Sequence, residues 1–146
     1  MARLPRQRFN LRRIMALDIG IGDGSSLIPI QGEPLVQLDN DAPYWFLHPL
    51  FERLREETGE YIDLYGDASF FGEQLAALKQ VLAEARRLAA AQPDTWQVHV
   101  GTKMAPVHQE LYAPLDRASL IALIEAWERV VMRAEQLGRP VVCFGD

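Results

Sequence analysis

Residues 96–144 read WQVHVGTKMAPVHQELYAPLDRASLIALIEAWERVVMRAEQLGRPVVCF, and this stretch decides the fold class. Trp96, Val98 and Val100 alternate with Gln97 and His99, the two-residue period of a half-buried strand. Gly101 to Pro106 supplies turn residues, and Val107 to Pro114 returns as the second strand of a hairpin. Asp116 stands where a helix N-cap is wanted. Behind it Leu120, Leu123, Ile124, Trp127, Val131 and Ala134 recur at helical spacing, and Gly138 stops the helix. Val141 to Phe144 is almost wholly apolar, as a strand buried on both faces is. Strands and a helix in mixed order exclude an all-helical or all-strand chain. The helix between the last two strands also leaves room for a crossover unit with parallel pairing.

Working outward, Ser69 is read as the cap of a helix over 70–91, with Leu75, Leu78, Leu82, Ala85 and Ala89 as its apolar stripe. Tyr61 to Tyr65 alternates and reads as a short strand, with Ile62 and Leu64 on one face and Tyr61, Asp63 and Tyr65 on the other. Asp41 reads as an N-cap with Pro43 in the first turn. Pro49 removes an amide donor, so the expectation is a short turn over 42–47 and a helix over 49–57 ended by Gly59. Residues 26–38 hold two apolar runs around Gln31-Gly32-Glu33-Pro34 and read as a loose hairpin. Residues 11–21 read as the first strand, ended by the Asp23-Gly24 turn. The expectation is an α+β fold: a single compact domain over 1–146, about six short, mostly antiparallel strands with three main helices, and residues 1–10 as a basic arm.

The chain has 146 residues, enough for one core, and its single cysteine excludes a disulfide framework or a multi-Cys zinc site. No apolar run approaches the ~20 residues that span a bilayer. No apolar segment follows the N-terminal arginines, so a soluble cytoplasmic protein is expected, without a membrane partner. The net charge of −5 is uneven. Residues 1–17 carry five arginines and no acid, and residues 18–67 carry eleven acids against Arg53 and Arg55. Residues 68–146 are nearly balanced. No basic face is built beyond the arm, so nucleic acid is not an expected partner, and an acidic body favours cationic ones.

One motif imitates a cofactor loop. Leu17-Asp18-Ile19-Gly20-Ile21-Gly22-Asp23-Gly24 resembles the strand and glycine loop of S-adenosylmethionine-dependent methyltransferases. That resemblance implies a helix opening directly behind the glycines. Here Pro29 and Gly32 follow instead and oppose a helix. Asp18 and Gly20 also resemble the phosphate strand of actin-like kinases, a fold of two lobes for which this chain is too short. The plain alternative is a strand followed by a glycine-rich hairpin turn.

Other chemistry falls away on spacing. Asp39-Asn40-Asp41 begins like a calcium loop, but Ala42, Pro43 and Tyr44 break the ligand pattern. His99, His108 and Glu110 sit on neighbouring strands as a candidate metal group or acid–base pair, yet without an HxH or HxxxH spacing, and His99 is expected to face solvent. Cys143 reads as a buried thiol, and Ser25-Ser26 lacks a nucleophile elbow. No catalytic, cofactor or metal residue is therefore assigned. What remains is a concentration of acids and tyrosines: Asp39, Asp41, Glu60, Tyr61, Asp63, Tyr65 and Asp67. Tyrosine gives contact area and carboxylates give steering, which together suit a protein-docking surface. The expected function is a non-catalytic protein-binding module, in its most specific form an immunity protein that neutralises a basic toxin domain. The alternative is a small-molecule, nucleotide or S-adenosylmethionine-binding enzyme using the Asp18–Ser26 loop.

Overall fold

A computed structural model describes residues 16–145. The expected N-terminal arm over 1–10, and the part of the first strand placed at 11–15, lie outside the described residues. Strand β1 (Leu17–Ile21) pairs antiparallel with β2 (Val36–Leu38) on one side and with β6 (Val141–Gly145) on the other. β6 also pairs antiparallel with β3 (Asp67–Phe70), giving a sheet ordered β2-β1-β6-β3. A separate ribbon pairs β4 (Thr95–Lys103) with β5 (Gln109–Asp116), also antiparallel. Three helices complete the described chain: α1 (Asp41–Thr58), α2 (Glu73–Ala90) and α3 (Arg117–Leu137). The α+β expectation holds, with three helices and six strands in two sheets among the described residues. The parallel crossover does not form: β5 stays with β4, and β6 enters the other sheet between two antiparallel neighbours.

The sheet has one core face. Leu17, Ile19, Ile21, Val36, Leu38, Ala68, Phe70, Val141 and Cys143 all lie on it and are buried. α3 brings Leu120, Ile124, Trp127, Val131 and Ala134 to the core, and α2 brings Leu75, Leu78, Leu82, Ala85 and Ala89, as their spacings require. On the outside, Lys79 pairs with Glu135 at 3.1 Å and Arg86 with both Glu125 and Glu128, tying α2 to α3.

α1 corrects the expected break at Pro49: the helix is continuous. Proline in a helix costs about 3 kcal/mol, through the lost donor and the clash with the carbonyl of residue 45. Tyr44, Leu47, Leu50, Phe51 and Leu54 are all buried on the other side, and each large apolar side chain is worth about 1.5–3 kcal/mol. Packing therefore outweighs the proline, whose ring lies on the exposed face. The cap is also one residue earlier than expected. Asn40 is the N-cap and accepts from the Ala42 amide at 3.1 Å, while Asp41 is the first helical residue. Gly59, with φ of 82°, ends α1, Asp116 caps α3 through the Ser119 amide at 2.9 Å, and Gly138 ends α3.

Residues 61–65 are not a strand. Their burial does alternate, with Ile62 and Leu64 inside, but side chains take the backbone groups a ladder would use. The Tyr44 hydroxyl donates to the Ile62 carbonyl at 2.9 Å. The Asp63 carboxylate accepts from the Tyr65 amide at 3.3 Å, starting a turn, and the strand begins only at Asp67. Ser69 is then inside β3 rather than a helix cap, and α2 starts after Gly72. Likewise only Val36–Leu38 of the expected 26–38 hairpin is strand; Leu27 to Pro34 is loop.

Candidate functional site

The two ends of the four-stranded sheet carry different chemistry. At one end Leu38, Leu17 and Gly145 stand side by side, and the Gly145 amide donates to the Gly66 carbonyl at 2.9 Å. Asp39 follows β2 there and Asp67 opens β3, three strand spacings or about 14 Å apart. Asp41 begins α1 directly after Asp39. Asp63 sits in the turn before β3, close enough to the Tyr44 hydroxyl for its charge to act on it. Burial first, then the Tyr61 hydroxyl and the charges of Asp63 and Glu52, hold the Tyr44 phenol neutral far above the usual range. Burial likewise raises the Asp41 carboxyl above the usual range. Tyr65 is 56% exposed beside this row.

Two of the seven sequence-predicted residues face elsewhere. The Glu60 carboxylate accepts from the Ser69 amide at 2.8 Å, on the order of 10 Å along β3 from the sheet end. It secures the edge strand. Tyr61 lies against α1, with its hydroxyl 2.7 Å from His48 Nε2 and the Arg55 guanidinium 4.9 Å above its ring. His48 also faces Glu52 at 3.2 Å and stacks near Trp45 at 5.0 Å. Sequence reasoning missed this cluster. Its signal was His48 and Glu52 four residues apart, and it was hidden because the Pro49 break put the two on separate elements.

Among the described residues the acids at the sheet end share the lack of a Lys or Arg ion pair with Asp18, Asp23, Glu52, Glu56, Glu57, Glu60, Glu73, Glu110 and Asp116, and are set apart by lying along one end of the sheet. Among the described residues, the Lys and Arg side chains pair with Glu33, Glu84, Asp94, Glu125, Glu128 and Glu135. Within that same set of residues, none pairs with Asp39, Asp41, Asp63 or Asp67. A groove of about 290 Å³ adjoins Asp39. Leu38, Pro43, Leu115 and Leu123 give it an apolar floor, and Asp39 and Asp116 line it with carboxylates.

In comparisons with known proteins, no family model, no curated protein and no solved structure matches this chain.

The glycine loop has a packing explanation. A Cβ on Gly20 would stand 2.7 Å from Pro29 Cβ and 3.1 Å from Leu35 Cδ1, because the loop folds back over the second face of the sheet. A Cβ on Gly22 would stand 2.7 Å from Val142 Cγ1. Both distances are below real contact, so packing alone requires glycine, beneath the loop at Gly20 and against the β6 side chain Val142 at Gly22. Asp23 Oδ1 accepts from the Ser25 and Ser26 amides at 2.8 and 2.9 Å and from the Ser25 hydroxyl at 3.0 Å, closing a tight turn where the resemblance implied a helix.

His99, His108 and Glu110 do come together on the exposed ribbon. His99 Nε2 is 2.5 Å from one Glu110 oxygen and His108 Nε2 is 2.8 Å from the other. A bulge between His99 and Gly101 shifts the alternation, so Thr102 joins the same face and donates to Glu110 at 2.9 Å. The Thr102 hydroxyl first, then His99, holds the Glu110 carboxyl below its usual range. Both carboxylate oxygens are occupied by these contacts, and among the described residues no three His, Cys, Asp or Glu side chains are grouped to hold a metal ion. Cys143 is fully buried, and burial first, then the Glu60 charge, pushes its thiol far above the usual range, so it presents no thiolate. No described helix is long and apolar enough to cross a membrane.

Proposed function

We propose that this chain is a non-catalytic protein-binding module, and more specifically a cytoplasmic immunity protein that neutralises a cognate toxin through a basic surface of that toxin. The observation that carries the reading is the row Asp39, Asp41, Asp63 and Asp67 at one sheet end, without basic partners among the described residues. Leaving like charges together costs stability, while a cationic partner turns the same charges into steering and pairing. The Asp39 groove suits the partner's lysine or arginine: methylenes on the Leu38 and Leu123 floor, the charged head at the carboxylates. Tyr65 adds an exposed aromatic contact of the kind that anchors interfaces. A nuclease toxin carries a basic surface because it binds phosphates, which supplies the complementary sign.

Cell protection tests this. The product of the gene immediately upstream is expressed in cells as the trial toxin, with and without this chain. Growth restored by the natural chain, and lost when Asp39, Asp41, Asp63 and Asp67 are all changed to Asn in a soluble variant, is the expected result. Protection undiminished by the four changes sinks the surface, and absence of protection by the natural chain sinks the immunity reading.

A further inference from the structure

The opposite end of the sheet holds a second site, independent of the acidic row. There three chain segments stand side by side in the strand order β1-β6-β3: Gly22 to Gly24 leaving β1, Arg139-Pro140 entering β6, and Phe71 leaving β3. The Gly22 amide donates to the Pro140 carbonyl at 2.9 Å, and the Ile30 amide to the Ile21 carbonyl at 2.8 Å, so the wall on the β1 side is fixed by backbone bonds. Between the segments runs a groove of about 430 Å³, within the range of about 300–1,000 Å³ typical of small-molecule sites. Strand spacing puts its Asp23 side and its Phe71 side about 10 Å apart, with Arg139 between them.

The lining has three chemistries. Arg139 is half-buried, and its guanidinium has no hydrogen-bond or ion-pair acceptor among the described residues. Its charge reaches Glu33, and that carboxylate is already held by Arg133 Nε at 2.8 Å. Asp23 spends one oxygen on the turn and keeps the other for a further donor. Phe71 is 56% exposed at the rim, an uncovered aromatic face next to Leu137 and Pro140. Asp23 and Arg139 line the same groove without pairing with each other. A simple anion would meet Asp23, and a simple cation would meet Arg139. A molecule carrying both an anionic group and an N–H donor on a flat apolar body satisfies all three.

We propose that this groove binds a small amphoteric aromatic molecule, with its carboxylate or phosphate on Arg139, an N–H on Asp23 and its ring on Phe71. A free aromatic amino acid and a purine mononucleotide share this chemistry, and titration calorimetry on the full chain separates them. The probes are L-tryptophan and adenosine monophosphate. Tryptamine and adenosine serve as controls, each lacking only the anionic group. Saturable one-to-one binding of one charged probe, weakened about tenfold or more in its uncharged control and in Arg139→Gln, is the expected result. Phe71→Ser is a second variant, expected to weaken the same probe with the native circular dichroism spectrum kept. No binding of either charged probe at millimolar concentration overturns the proposal. So does binding that is as tight for the uncharged control, or in either folded variant. A failure here leaves the acidic surface untouched, since the two lie at opposite sheet ends.

Discussion

Gly20 and Gly22 show how one residue type carries two readings. In the sequence they resemble a cofactor loop; in the structure no Cβ fits beneath Pro29 at Gly20 or against Val142 at Gly22. Gly20→Ala and Gly22→Ala are therefore each expected to cost about 1–3 kcal/mol of unfolding free energy, measured by urea titration. A neutral effect at both positions would mean the loop does not roof the sheet. Four carboxylates are held below the usual range, led by the Ser25 amide at Asp23, Arg133 at Glu33, the Thr102 hydroxyl at Glu110 and the Ser119 amide at Asp116. A lowered folded pKa means that the unfolded chain binds more protons in the window between the two values. The stability from these groups is complete above the ordinary carboxylate range near pH 4 and is lost as pH falls through the lowered values. Asp41, raised by burial, works the other way, one group against four. The urea midpoint is expected to fall on acidification from about pH 6 to about pH 3; a rising midpoint would contradict the assignments.

At the element scale, α3 was legible in full, from the Asp116 cap through the apolar stripe to Gly138, because propensity, capping and burial agree there. α1 was not, because local rules and packing disagree. Pro49 argues for a break and Tyr44, Leu47, Leu50, Phe51 and Leu54 argue for one helix, and only the tertiary structure shows that all five reach the core. Residues 61–65 failed for the complementary reason: alternation was real, but the bonds went to Tyr44 and Asp63 side chains, whose positions no local pattern reveals. Two substitutions test the α1 description. Pro49→Ala restores a donor on an exposed face and is expected to stabilise the chain by about 1–3 kcal/mol in thermal or urea unfolding. Asn40→Ala removes the cap and is expected to cost about 0.5–2 kcal/mol, whereas Asp41→Ala costs less than that. The reverse order would return the cap to Asp41.

For the whole molecule, the sequence made the charge imbalance visible but not its geometry. The acid-rich block over 18–67 spreads along three strands and a helix, and folding sorts it. Asp39, Asp41, Asp63 and Asp67 gather at one sheet end, Glu33 is drawn to Arg133, and Glu60 turns inward to Ser69. The Asp39 groove was beyond sequence reading because β2, α1, β5 and α3 all contribute to it. The central claim is that the gathered acids form the docking surface for a basic protein. Titration calorimetry of the natural chain against the toxin domain from which it protects cells, at low and high salt, tests that claim most directly. The expected result is tight binding that weakens with salt and falls at least about tenfold when Asp39, Asp41, Asp63 and Asp67 become Asn. Equal affinity for the natural chain and the folded four-site variant, unchanged by salt, would contradict it.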